Sequence, residues 1–70
     1  MADARRVLEV ALDEALLLAT TGGHLEQEIV PIIRLAKEAF RAGEGEVPDE
    51  DIRASGIHET KLNRLGLLEP

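Results

Sequence analysis

Residues 4–24 read ARRVLEVALDEALLLATTGGH. From 4 to 20 there is no Gly or Pro, and Ala, Leu, Arg and Glu, all good helix formers, dominate. At about 100° per residue, Ala4, Val7, Leu8, Ala11, Leu12, Ala15, Leu18 and Ala19 fall on one face. Arg5, Arg6, Glu9, Asp13 and Thr20 gather opposite. Val10 and Leu17 make a second, narrower apolar strip, divided from the main face by Glu14. The spacing predicts a helix over 4–20, with the Asp3 carboxylate capping its free amides. An apolar arc this wide needs more than one neighbour.

Gly22 and Gly23 stop that helix, and a glycine takes the left-handed turn there at little cost. A second helix is expected over 24–42, starting near His24 or Leu25, with Glu26 and Glu28 opposing the positive end of its dipole. Leu25, Ile29, Ile32, Ile33, Ala36 and Phe40 share a face, with Arg34, Lys37, Glu38 and Arg41 opposite. Pro31 removes one backbone hydrogen bond and crowds the carbonyl four residues back. Because Leu25 stays in phase with the stripe beyond Pro31, one helix bent at Pro31 is expected, with the proline on the polar side.

AGEGEVPDED, residues 42–51, is the clearest linker: Gly43 and Gly45 end the second helix and Pro48 suits the first turn of the next. Two short helices follow over about 48–55 and 58–65, either side of Gly56 and ending at Gly66. Ile52, Ile57, Leu62, Leu65, Leu67 and Leu68 anchor this tail to the rest. No repeat and no strand is legible. The expected fold is all-α, a long antiparallel helical hairpin followed by two short helices, in a single small domain over 1–70.

The chain has 70 residues, 44% of them hydrophobic, which suits a globular protein rather than a disordered one. Phe40 is the only aromatic residue, so the core must be aliphatic. With no cysteine, disulfides and thiolate metal sites are excluded. Below roughly 70–80 residues a single core rarely supplies more than ~3–5 kcal/mol, and self-association is the remedy this composition leaves open. A net charge of −6 favours solubility and repels nucleic acid at long range. MADARR is followed by Glu9, Asp13 and Glu14, so neither a signal peptide nor a membrane span is expected at the start. A cytoplasmic location is the expectation that follows.

The stretch DEDIRASGIHETKLNRLGLL, residues 49–68, resembles the helix-turn-helix segment of small transcription regulators: Gly56 stands at the turn, Ile57 after it, and Leu62 and Leu65 anchor the second helix. The resemblance implies a second helix lying in the major groove, with His58, Glu59, Thr60, Lys61, Asn63 and Arg64 outward. Lys61 and Arg64 would serve phosphate or guanine and Asn63 adenine. The phase departs from that motif, because the places five and four before Gly56 hold Asp51 and Ile52 where an apolar and a small residue are usual. Glu44, Glu46, Asp49, Glu50 and Asp51 also set negative charge beside the second helix, where phosphate neutralisation needs Lys and Arg.

Other chemistry has little to draw on. His24 and His58 have no second His or Cys at ligand spacing, so no metal site is expected. Ser55 is the only serine and has no patterned His and Asp partners, and no catalytic or cofactor site is expected. The leading expectation is a self-associating protein-interaction module, a homodimer whose two hairpins form a four-helix bundle. Its interface would hold Val10, Leu17 and part of the Leu8, Leu12, Leu16 edge, with Glu14 reaching solvent at its rim or, alternatively, pairing with an Arg across it to set register. The alternatives are a DNA-binding regulator reading with residues 58–65 through Thr60, Lys61, Asn63 and Arg64, and a small structural subunit of a larger assembly with an unidentified protein partner.

Overall fold

Asp3 opens the first helix as expected: its side chain accepts from the Arg6 backbone N–H at 3.3 Å. The computed structural model describes residues 2–22 and 26–68. In chain order it has β1 (Ala2–Asp3), α1 (Ala4–Thr21), α2 (Glu26–Ala42), β2 (Glu46–Val47), α3 (Asp49–Ala54) and α4 (Glu59–Arg64). The all-α expectation stands, with each helix bound within about two residues of its expected place. The start of α2 at His24 or Leu25, and Leu25 as part of its stripe, lie outside the described residues.

Gly22 ends α1 in the left-handed region at φ 71°, its N–H returning to the Leu18 carbonyl at 3.2 Å. The few residues between Thr21 and Glu26 cannot span a helix of 18 residues, about 27 Å long, so α2 must run back antiparallel along α1. α2 passes through Pro31 as one continuous helix.

The sequence carries no legible strand, yet a two-residue antiparallel pair joins Ala2 to Val47 and Asp3 to Glu46. Ala4 N–H extends it to the Gly45 carbonyl at 3.0 Å. Two residues are too short for an alternation to register. The pairing exists because the hairpin brings its two open ends together, leaving extended backbone on each with donors and acceptors to satisfy.

The small residues Ala4 and Ala11 on α1 and Ala36 and Ala39 on α2 are buried beside Val7, Leu18, Ile32 and Leu35. Val47, Ile52, Ile57, Leu62, Leu67 and Leu68 complete the same cluster, so the tail shares the hairpin's core. Gly66, at φ 74°, closes α4 in a double turn: its N–H meets the Asn63 carbonyl, and Leu67 N–H the Leu62 carbonyl, each at 3.0 Å. Leu62 and Leu67, which that motif brings together, are both buried.

The side of α2 that faces inward differs from expectation. Ile32, Leu35, Ala36 and Ala39 are buried, whereas Ile33 and Phe40 of the expected stripe are exposed. On α1, Leu12 and Ala19 of the expected main face are likewise exposed. Each long helix carries apolar residues over more than half its circumference, and the tail decides which part is covered. Pro31, expected on the polar side, is half-buried, and a Cβ on Gly56 in the α3–α4 connection would stand 3.8 Å from its ring carbons. With the tail folded over that flank, burial on α2 centres between α1 and the tail and takes in Leu35.

Candidate interaction face

α4 is fastened to α1 at two places. Lys61 Nζ meets Glu14 Oε1 at 3.0 Å, with the side chains only 24% and 13% exposed. Arg6 Nη1 donates to the Gly66 carbonyl at 2.9 Å. Glu14, expected at an edge between copies, is thus engaged within its own chain. The tail therefore covers the Glu14 side of α1 and the Pro31 side of α2.

Helix geometry places four of the six large apolar residues exposed among the described residues opposite that tail, with Leu17 and Val30 on the outer flanks of α1 and α2. Residues two apart on a helix point about 160° from each other, so Leu12 and Leu16, flanking Glu14, both face away from it. By the same reckoning Ile33 lies about 160° and Phe40 about 180° round α2 from Pro31. Leu12 is 51% exposed, Leu16 63%, Ile33 43% and Phe40 75%. Counting along the antiparallel helices from the turn, Ile33 stands between the heights of Leu12 and Leu16, and Phe40 beside that of Leu8. Single exposed leucines are ordinary; here the exposed apolar residues are shared between two helices.

The residues expected at a dimer interface are divided by this arrangement. Leu8, Leu12 and Leu16 belong to the uncovered face, with Leu8 half-buried. Val10 packs against the chain's own core, and Leu17, though exposed, turns toward the flank that carries the tail. Ile33 and Phe40 join the face unforeseen. The signal for them was present in the sequence, since Ile29, Ile33 and Phe40 form one apolar arc of α2 while Ile32, Leu35 and Ala39 form another.

Of the residues that the helix-turn-helix resemblance singles out, Thr60, Asn63 and Arg64 are exposed on α4. Lys61 is held by Glu14, and Arg53 lies 3.8 Å from Glu59. His58 caps α4, its Nδ1 accepting from Thr60 N–H at 3.1 Å. Ser55 is buried: its hydroxyl donates to the Ile52 carbonyl at 2.6 Å and accepts from Ile57 N–H at 3.4 Å. Those bonds give the serine a structural place beneath the α3–α4 turn. Among the described residues no cluster of His, Cys, Asp or Glu could hold a metal ion, and no helix is long and apolar enough to cross a membrane. His24 lies outside the described residues. An open hollow between α2 and α3, lined by Arg34, Lys37, Glu38, Arg41 and Asp51, mixes both signs of charge.

Comparisons with protein-family models, with curated proteins and with solved structures found no match to this chain.

Proposed function

We propose that this chain is a self-associating helical interaction module, whose uncovered hairpin face packs against that of a second copy to form a homodimeric four-helix bundle. The observation that carries this reading is the location of Leu12, Leu16, Ile33 and Phe40, all exposed and all turned from the tail. Such a face, two antiparallel helices showing aliphatic residues and one phenylalanine ring, is half of a bundle core. The tail already occupies the other side of the hairpin, so association leaves α3 and α4 outward as a second layer. A partner of different sequence in a larger assembly would use the same face.

Reading DNA with α4 has less support. Lys61 is drawn back toward Glu14, and Asp49, Glu50 and Asp51 stand in the first turn of α3 close by in the chain. Light scattering on the purified chain over a rising concentration series tests the proposal. A mass moving from one chain to two is the expected result; a strictly monomeric chain at high micromolar concentration would overturn it.

A further inference from the structure

The uncovered face has charged borders of opposite sign. On α1, Glu9 and Asp13 follow at about 40° and about 80° beyond the middle of the Leu12–Leu16 ladder, on the side away from α2. On α2, Lys37 and Arg34 follow at about 50° and about 110° beyond the middle of the Ile33 and Phe40 pair, on the side away from α1. All four are exposed, and none makes an ion pair among the described residues; Arg34 and Lys37 also border the hollow between α2 and α3, so they stand where the uncovered face turns toward the tail. The other cations nearby are engaged: Arg5 with Glu44 at 3.1 Å and Arg41 with Glu38 at 3.2 Å. Over the heights of these four residues one long edge of the apolar face is therefore acidic and the other basic; exposed Glu26, about 30° beyond the same middle of α2, adds one carboxylate to the basic edge at its turn end.

The borders also match in height. Asp13 lies eight residues before Thr21, the end of α1, and Arg34 eight residues after Glu26, the start of α2. At about 1.5 Å per residue both stand about 12 Å from the turn. Glu9 and Lys37, counted the same way, differ by a single residue.

Two hairpins packed face to face with helices aligned can be related by a two-fold axis running along the helices or across them. An axis across them lays α1 on α1 and α2 on α2, so acid meets acid and base meets base. An axis along them lays α1 on α2 of the second copy and leaves every height unchanged. We infer that the dimer has its two-fold axis along the helices, with Glu9 against Lys37 and Asp13 against Arg34 of the second copy at both edges. This arrangement rests on the self-association proposed above, and charge complementarity selects a second copy as the occupant. A face whose own two borders are complementary at equal heights is matched by itself.

Three variants test it: E9K with D13K, R34E with K37E, and all four substitutions together. Dimer dissociation constants are measured by sedimentation at low salt. Each double variant is expected to dimerise about tenfold more weakly than the parent, because attraction becomes repulsion at both edges, and the difference should shrink as salt screens the pairs. The fourfold variant exchanges the two borders and should recover the parent constant. The E9K and D13K pair brings the net charge of −6 four units nearer zero, so overall repulsion cannot explain its weaker association. Double variants that dimerise like the parent, or a fourfold variant that stays weak, would overturn the arrangement. A parent chain that does not dimerise fails the earlier proposal instead, which the same run reads directly.

Discussion

Replacing Phe40 by Ala should weaken the proposed dimer and leave the single chain almost as stable as before. Fully burying a phenylalanine side chain gains about 1.5–3 kcal/mol relative to leaving it in water. Phe40 is 75% exposed in the chain alone, so most of that gain is open to association. Three quarters of it is about 1–2 kcal/mol per copy, and a symmetric dimer holds two such rings. The expected loss is about 2–4 kcal/mol per dimer, or roughly 30-fold to 1,000-fold in the dissociation constant. Within one chain the lost quarter of burial is partly offset by the better helix propensity of Ala, leaving a change within about 0.5 kcal/mol. A phenylalanine in a core would instead cost about 3–5 kcal/mol. Sedimentation over a concentration series gives the first quantity, and urea unfolding of the dilute chain gives the second. An unchanged dimer would refute the placing of Phe40 at the interface. A loss of about 3 kcal/mol or more in the dilute chain would show the ring packed within its own fold.

Removing the Lys61 ammonium by K61A leaves the Glu14 carboxylate, only 13% exposed, without its partner. Losses of about 3–5 kcal/mol attend fully buried pairs and at most about 1 kcal/mol exposed ones, so about 1–2 kcal/mol is expected at this largely but not fully covered pair, read as a lower urea midpoint. A midpoint that does not move would place Glu14 in solvent instead. Gly66→Ala should cost about 1–2 kcal/mol for the left-handed backbone alone, since φ is 74°. The new Cβ would also stand 2.8 Å from Arg6 Nη2 and push aside the guanidinium that binds the Gly66 carbonyl. Gly22→Ala is the control, with φ 71° and nothing within 4 Å, and it should lose less; equal losses would leave the Arg6 contact without weight.

The helical order was legible because its punctuation is local. Gly22, Gly43, Gly56 and Gly66 all take positive φ beside helix ends, and Asp3 caps where its spacing says it should. What the sequence did not carry is direction. Ile32, Leu35 and Ala39 on the one hand, and Ile29, Ile33 and Phe40 on the other, are equally plausible inner faces of α2. The choice between them comes from where the tail lies, and that is decided by contacts far apart in the chain. The Lys61 pairing with Glu14 is of this kind, as is the β1–β2 pair. Of the residues expected at an interface, Leu12 and Leu16 are on the uncovered face because their ladder lies opposite Glu14, whereas Val10 went to the core. The acidic and basic borders follow from the same direction, since they become edges only once the covered side of each helix is known.

The position of Phe40 also has a spectroscopic consequence. It is the only aromatic residue in the chain, so near-ultraviolet circular dichroism reports one ring, and that ring lies outside the core. A dilute, fully packed single chain would thus show strong helical bands and an almost featureless aromatic region. That combination ordinarily signals a molten globule, in which side-chain packing has been lost. Here it would signal only that the face around Phe40 is empty. Fine structure that sharpened with rising concentration would be the sign of that face being filled.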